Sequence, residues 1–195
     1  KPQSDTNEPY MSGYDGEINP DGYMTRAEAA TIMVNLSGGI EKQSINIFKD
    51  VADGTWYKNY IAAASEKGYI SGFEDGTFKP EESVTREQFV AMMLRYTKTF
   101  PTRGETFSDV SINRWSAGYI YTAVELGIIS GYQDGTFKPE NPVTRAEAAR
   151  IVNVATGRNP NKEVIDNMVC PYSDLPKSHW AYYELMYAST YVYEN

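Results

Sequence analysis

The chain is poor in the residues that build disulfides, zinc clusters and His-based catalytic centres. Its 195 residues include one cysteine, Cys170, and one histidine, His179. These two residues allow no internal disulfide, no Cys/His zinc cluster and little scope for a catalytic triad. We expect Cys170 to be a small apolar residue and His179 to lie at the surface or to cap a helix. No catalysis, metal site or cofactor is predicted.

Two further absences concern partners. The 18 lysines and arginines are outnumbered by 26 aspartates and glutamates, and this net charge of −8 argues against a nucleic-acid partner. The sequence has no apolar run long enough to span a bilayer, so we expect no membrane insertion. Its hydrophobic fraction of 41% is typical of a folded domain. We interpret the polar residues 1–10 as the end of a linker from a larger protein.

What the sequence has in abundance is repetition of two kinds of half-repeat. The first kind begins at Ser12, Ser71 and Ser130 and reads "SGYDGEINPDGYMTRAEAA", "SGFEDGTFKPEESVTREQF" and "SGYQDGTFKPENPVTRAEA". The second kind begins at Phe48, Phe107 and Tyr172 and reads "FKDVADGTW", "FSDVSINRW" and "YSDLPKSHW". Such regular copies indicate one structural unit used three times.

Each half-repeat carries the apolar spacing of an amphipathic helix. In the first kind, apolar residues fall at i, i+3, i+4 and i+7, as at Ala29, Ile32, Met33 and Leu36. The Asp-Gly turns and the proline of "DGTFKP" suit a short irregular connection. The sequence therefore predicts an all-α fold with three helices of each kind.

The chain begins with one kind of half-repeat and ends with the other, so we expect its ends to pair. Residues 11–193 then form one pseudo-three-fold symmetric domain of three helix–loop–helix repeats, in which the helix from Trp180 folds back beside the first helix, near Thr25. The predicted repeats are residues 11–47 with 172–193, residues 48–106 centred on Arg86, and residues 107–171 centred on Arg145. An added loop, "GRNPNKEVIDNMVCP", interrupts the last of these.

An arginine stands in the first turn of each first-kind helix, where the helix dipole disfavours a cation by about 0.3 kcal/mol or more. The threonine before it and the Glu or Gln three residues after that threonine fit a capping box. The box leaves the arginine unexplained: it either pairs with a neighbouring carboxylate or binds an anionic ligand. We assign Arg26, Arg86 and Arg145 to ligand binding.

Tryptophans and aspartates also recur in these motifs, and the first copy contains a possible calcium loop. The tryptophans at the second-kind helix starts are either core residues or platforms on which a sugar stacks; they are Trp56, Trp115 and Trp180. Asp50, Asp109 and Asp174 precede these helices and are expected to shape their entry turns. Residues 17–28 have carboxylates at several calcium-loop positions, but the capping box claims Glu28, so we predict no calcium binding.

The combined pattern F-x-D-V…W…A…G-(I/Y)-I-x-G-(Y/F)-x-D-G-T-F-x-P…(V/M)-T-R-A-E-A-A resembles the S-layer homology domain of bacterial surface proteins. The resemblance extends from about Met11 to Tyr191. It implies a three-repeat, pseudo-three-fold helical domain whose grooves bind secondary cell-wall polysaccharide, often carrying acidic pyruvate ketals. It also implies that the T-R-A-E motif takes part in that binding.

The copies depart from the family pattern at a few positions. The second copy reads T-R-E-Q at Thr85–Gln88, and the first copy lacks one residue in its Gly-Asp-Gly turn. The first copy also has Asn19 where the others have Lys79 and Lys138, two residues that complete our set of candidate ligand-binding residues. The third copy, around Arg145, is the fullest match.

We therefore predict a non-catalytic module that anchors an exported protein to the wall of a bacterium, most simply a Gram-positive one. An acidic glycan would be held by arginine forks and by the amides at helix starts. The alternative is a protein–protein assembly module of a surface protein, with the arginines in internal salt bridges and no glycan bound.

Overall fold

The computed structural model describes residues 6–42, 44–104 and 107–193. Helices make up most of the regular structure in these ranges. They are α1 (Arg26–Leu36), α2 (Lys58–Glu66), α3 (Arg86–Tyr96), α4 (Ala117–Glu125), α5 (Arg145–Ala155), α6 (Lys162–Asp166) and α7 (Tyr182–Ser189). Two short antiparallel strands, β1 (Thr6–Asn7) and β2 (Val192–Tyr193), pair Thr6 with Tyr193.

The predicted all-α class is confirmed, and each of the six predicted helices is present. The added loop contains a seventh helix, α6, which the sequence analysis did not anticipate. Its start is capped by Asn161, whose side chain accepts the Val164 N–H. In the described ranges, none of the helices combines the length and apolarity needed to cross a membrane.

Backbone contacts group the chain into two compact units. One consists of the described residues up to Gly22 and those from Thr144 onward, and the other is Tyr23–Val143. In the second unit α1 packs on α2, α3 packs on α4, and α1 also contacts α3. In the first unit α7 packs against α5 and α6. The pairing of half-repeats into three repeats and the pseudo-three-fold arrangement stay predictions.

A closed ring of backbone hydrogen bonds joins three corresponding residues of the Tyr23–Val143 unit. The Met24 N–H donates to the Val143 oxygen at 3.0 Å, Val143 donates to Val84 at 3.1 Å, and Val84 donates to Met24 at 2.9 Å. All three residues are fully buried. Because Met24 and Val84 each precede a capping threonine, the ring fixes the starts of α1 and α3.

All three capping boxes are formed. In the first, Thr25 Oγ1 accepts the Glu28 N–H at 3.2 Å, and a carboxylate oxygen of Glu28 accepts the Thr25 N–H at 2.7 Å. This is the use of Glu28 on which the argument against a calcium loop depends. Within the described part of the chain, no group of three or more His, Cys, Asp or Glu residues could hold a metal ion.

The N-terminal segment is tied into the first unit. Residues 1–5 of the predicted linker end lie outside the described residues, whereas residues 6 and 7 form β1. The N–H groups of Tyr10 and Met11 both donate to the Ala188 oxygen, at 2.9 and 3.1 Å. The Tyr10 side chain is buried, and its hydroxyl donates to Asn153 Oδ1 at 2.8 Å. These contacts join the N-terminal residues to α5 and α7.

We expect Tyr10→Phe to lower the free energy of unfolding by about 1–2 kcal/mol, because Asn153 Oδ1 would lose its buried hydroxyl donor. Thermal melting should show a midpoint roughly 2–6 °C lower. Tyr14→Phe is the matched control, since Tyr14 is 83% exposed, and its midpoint should be that of the wild type. Equal midpoints for both variants would show that the Tyr10 hydroxyl contributes nothing.

Candidate functional site: three arginines on three loops

The starts of the arginine helices lie on the Asp-Gly loops, here called DG loops: residues 12–22, 71–82 and 130–141. In α1, the Arg26 N–H donates to the Glu82 oxygen and the Ala27 N–H to the Pro80 oxygen, both at 2.9 Å. The corresponding amides of α3 donate to Asn141 and Pro139, and those of α5 donate to Gly22 and Pro20. The third amide of each helix donates to the capping threonine.

These bonds occupy the amides that a helix start would otherwise present to an anion. The expectation that helix-start amides of α1, α3 and α5 hold the ligand is therefore wrong. The reason lies in the tertiary structure: carbonyl oxygens of a DG loop from another half-repeat already accept the first two N–H groups of each helix.

The arginine side chains are buried as well. Arg26, Arg86 and Arg145 are 3%, 5% and 7% exposed. Arg26 donates from Nε to the Phe78 oxygen at 2.7 Å, from Nη2 to the Ser71 oxygen at 3.3 Å, and from Nη1 to Gln88 Oε1 at 3.0 Å. The first two of these acceptors are main-chain atoms of one DG loop, so the guanidinium holds that loop against α1.

The other two arginines repeat this pair of bonds. Arg86 donates from Nε to Phe137 O at 3.0 Å and from Nη2 to Ser130 O at 3.1 Å. Arg145 donates from Nε to Ile18 O at 2.7 Å and from Nη2 to Ser12 O at 2.6 Å. The sequence left two alternatives open, a carboxylate partner or an anionic ligand, and these geometries add a third kind of partner, the backbone carbonyl.

Aromatic rings stabilise two of these charges further. The Arg26 Cζ lies 4.5 Å from the ring centre of Phe78 and 4.8 Å from that of Phe73. Arg86 lies 4.8 Å from Phe137 and 4.9 Å from Tyr132. Such cation–π contacts favour the charged form. Burial lowers the pKa of Arg26 to about 10, an effect that nearby carboxylates partly offset, and the side chain stays protonated at neutral pH.

Each site is thus composite: the arginine of one half-repeat meets the DG loop of another. The Arg26 site uses residues 71–82, the Arg86 site uses residues 130–141, and the Arg145 site uses residues 12–22. The copy around Arg145 is the fullest match to the motif, but this match does not describe the site in which the Arg145 side chain lies. Arg145 lies on the first DG loop, which is the one that departs most from the shared pattern.

The three aspartates hold the DG loops rather than the entry turns of the helices that follow them. The carboxylate of Asp50 accepts the N–H groups of Phe78 and Lys79, both at 2.7 Å. Asp109 accepts those of Phe137 and Lys138, and Asp174 accepts those of Ile18 and Asn19. The sequence did place an aspartate at the same point of each copy, but its acceptor role depends on residues distant along the chain.

Two lysines stand on these held turns, beside half-exposed rings. Lys79 Nζ lies 4.8 Å from the ring centre of Phe73, and Lys138 Nζ lies 4.2 Å from that of Tyr132. The two rings are 37% and 39% exposed. Since Arg26 and Arg86 contact the same rings, each ring is flanked by a buried guanidinium and an exposed ammonium. Of the eight predicted site residues, the structure brings together Arg26 with Lys79 and Arg86 with Lys138.

The tryptophans lie at the surface. Trp56, Trp115 and Trp180 are 59%, 54% and 56% exposed, so the core interpretation is wrong. The Trp180 ring stacks on that of His179, with ring centres 5.8 Å apart. Trp115 borders a cleft of about 310 Å³ that is also lined by Arg103 and Tyr119. At a helix start, a tryptophan can face either inward or outward, and its position in the sequence does not decide which.

The second copy contains a buried ion pair that its T-R-E-Q sequence explains. Glu87, 5% exposed, replaces an alanine of the other copies and accepts bonds from Arg114 Nε at 2.7 Å and Nη2 at 2.9 Å. The Ser116 hydroxyl also donates to Glu87, and Arg114 reaches Glu140 at 2.7 Å. Glu87 and Glu140 raise the pKa of Arg114. This network ties α3 to the start of α4.

The lone histidine and cysteine have local roles. His179 Nδ1 accepts the Ala181 N–H at 3.1 Å just before α7, and its Nε2 lies 3.4 Å from Asp21 Oδ1. Cys170 is half-buried, and its thiol lies 3.6 Å from the Tyr172 oxygen. The N-cap residue of α7 is Ala181 and the helix start has no side-chain cap, so His179 bonds to the turn before the helix and does not cap it.

Arg26→Ala should lower the free energy of unfolding by about 2–4 kcal/mol, because the carbonyls of Phe78 and Ser71 would lose their charged donor. Chemical denaturation measures the loss. Arg150→Ala is the control, since its side chain is 61% exposed, and it should shift stability by less than about 0.5 kcal/mol. A near-wild-type Arg26→Ala would contradict the structural role.

Known relatives share these repeats. "Cell surface glycoprotein 1" of Acetivibrio thermocellus is 35% identical over 193 residues, covering 91% of this chain and 8% of that protein. The "Cellulosome-anchoring protein" of the same organism is 33% identical over 188 residues, covering 91% of this chain and 41% of that protein. The "S-layer protein" of Bacillus thuringiensis subsp. finitimus is 33% identical over 142 residues, covering 70% of the chain and 17% of that protein.

The chain thus spans less than half the length of these curated relatives. A family model described as the S-layer homology domain matches residues 7–30, 47–90 and 106–149. The three matched segments include all three arginines and both lysines. The chain belongs to the S-layer homology domain family.

Proposed function

We propose that this chain is a non-catalytic binding module that anchors a larger exported protein to the cell wall of a Gram-positive bacterium. Its relatives carry the names of a surface glycoprotein, a cellulosome-anchoring protein and an S-layer protein. The chain covers only a fraction of each, which agrees with a module joined to other domains. The anchoring is non-covalent, because it rests on the binding of wall polysaccharide.

The ligand we propose is an acidic secondary cell-wall polysaccharide, one bearing pyruvate ketals or an equivalent carboxylate. The observation that carries this proposal is the half-exposed ring flanked by a buried arginine and an exposed lysine, which occurs twice. A sugar face packs on an aromatic ring, while a carboxylate on that sugar meets the lysine ammonium. Charge-assisted bonds of this kind are about twice as strong as neutral ones.

The arginine and the lysine of each such site have different roles. The guanidinium of Arg26 donates hydrogen bonds to Phe78 O, Ser71 O and Gln88 Oε1, so its first role is to hold the DG loop and the ring in place. The Lys79 side chain is 38% exposed, and its ammonium pairs with Glu82 at 3.3 Å. Such exposed pairs contribute about 0–1 kcal/mol, so a ligand carboxylate competes readily for the lysine.

The net charge of −8 does not prevent binding of an acidic glycan. At physiological ionic strength, exposed charges are screened beyond about 8 Å. The charges that matter are therefore those within one site. The exposed indoles, Trp56, Trp115 and Trp180, offer additional stacking surface for neighbouring sugars of a polymer.

Replacing both lysines, as Lys79→Gln with Lys138→Gln, should weaken binding to acidic wall polysaccharide while leaving the melting temperature unchanged. A contact that the sugar packed on the ring shields from water is worth more than an exposed ion pair, about 1.5–3 kcal/mol, or roughly a 10- to 100-fold change in affinity. Sedimentation with purified wall sacculi and calorimetry with released polysaccharide measure it.

Two controls accompany this test. The variant Lys42→Gln with Lys177→Gln removes the same charge from exposed lysines, 75% and 60% exposed, that lie away from the DG-loop rings, and it should bind as wild type does. Walls stripped of their ketals should bind all variants weakly and alike. Equal binding to stripped and intact walls would instead favour the assembly-module alternative.

A further inference from the structure

We propose that only two of the three composite sites bind the acidic glycan, the Arg26 and Arg86 sites, and that the Arg145 site is purely structural. This inference rests on the proposed function and adds a number, two acidic groups per chain, and a position that decides it. That position is occupied by Lys79, Lys138 and Asn19 in the three DG loops.

All three sites share one buried frame. In each, the arginine donates to two carbonyls of a DG loop, and an aspartate accepts two successive N–H groups of the same loop. The Arg145 site forms these bonds at 2.6–2.9 Å, as tightly as the others. The frame therefore persists whether or not the exposed residues suit a ligand.

The exposed positions differ. The first DG loop has Ile18 where the others have Phe78 and Phe137, and Asn19 where the others have lysine. Its tyrosine, Tyr14, is 83% exposed, whereas the corresponding Phe73 and Tyr132 are less than half as exposed. The first DG loop, residues 12–22, thus contains no lysine, and its tyrosine ring is far more exposed than Phe73 and Tyr132.

The three positions share one backbone conformation. Lys79 and Lys138 have φ of 59° and 55°, in the left-handed region that ordinary side chains disfavour, and Asn19 has φ of 51°. Asparagine adopts this conformation with less strain than lysine does. Since the turn accepts asparagine, as position 19 shows, the backbone conformation does not itself require lysine at positions 79 and 138.

Charge near the Arg145 site points the same way. Asp21 belongs to the first DG loop, and its side chain is 81% exposed beside His179. Asp174 accepts the Ile18 N–H of the same loop. With Asn19 in place of lysine, residues 12–22 contain no basic side chain that could meet an incoming carboxylate. At the Arg86 site, by contrast, Lys138 lies 3.7 Å from Asp134, an exposed pair that a ligand carboxylate competes with easily.

Both competent sites lie in the Tyr23–Val143 unit. A polymer with repeated acidic groups can then engage two sites of one unit, so its second contact forms at a high effective concentration. A fragment with one acidic group gains nothing from this, which allows site number and avidity to be measured separately.

Calorimetry with a wall-polysaccharide fragment carrying a single ketal carboxylate tests the inference. We expect a stoichiometry of two for the wild type, one for Lys79→Asn, one for Lys138→Asn, and no binding for the double variant. Asn19→Lys with Ile18→Phe should raise the stoichiometry to three. For the intact polymer, each single lysine variant should lose at least tenfold in affinity.

Lys98→Asn is the matched control. Lys98 is an exposed lysine with φ of 56° that follows α3, so its replacement relieves the same backbone strain away from any site. We expect an unchanged stoichiometry of two, and a melting temperature equal to or above the wild type for all three Lys→Asn variants.

The outcomes separate the two proposals. A wild-type stoichiometry of three, or of two after Lys79→Asn, would overturn this inference and leave glycan anchoring intact. A wild type that binds neither the fragment nor the polymer would overturn the proposed function, and this inference with it.

Discussion

The structure depends on a buried guanidinium at the start of a helix. A cation there opposes the helix dipole and loses its hydration, so the position is unfavourable unless strong acceptors replace water. Arg26 finds them in the carbonyls of Phe78 and Ser71, between the faces of Phe78 and Phe73. These acceptors belong to a different half-repeat, and the interaction therefore joins segments more than 40 residues apart in the chain.

This exchange makes each site a product of two copies. A substitution in one DG loop changes the site of an arginine that lies elsewhere in the sequence, as Asn19 does for Arg145. Comparing linear copies of the motif therefore misjudges the sites, since the arginine and the residues around it do not come from the same copy. The backbone ring of Met24, Val84 and Val143 shows the same principle within the Tyr23–Val143 unit, because each of its members belongs to a different half-repeat.

Much of the fold followed from the sequence because its signals are local. The apolar spacing predicted six helices, and the capping boxes predicted the starts of three of them, α1, α3 and α5. The six helices and the three capped starts are present. Helix α6 was not predicted, since its five residues are too few to show a period. Other features depend on which distant segment packs against a residue, and no local pattern encodes that. They are the acceptors of the arginines, the acceptor role of Asp50 and the exposure of Trp56.

The residues that hold the DG loops repeat in all three copies. Arg26, Asp50 and their equivalents hold the DG loop in all three sites, and their geometry is the same whether the loop carries Lys79 or Asn19. A motif of this kind marks the frame that positions the residues around it. Under the proposed function, recognition would fall to the side chains that this frame presents to solvent. A change from lysine to asparagine would then alter the binding of one site and leave the frame intact, so position 79 and its equivalents would set the binding capacity more than the arginine that identifies the repeat.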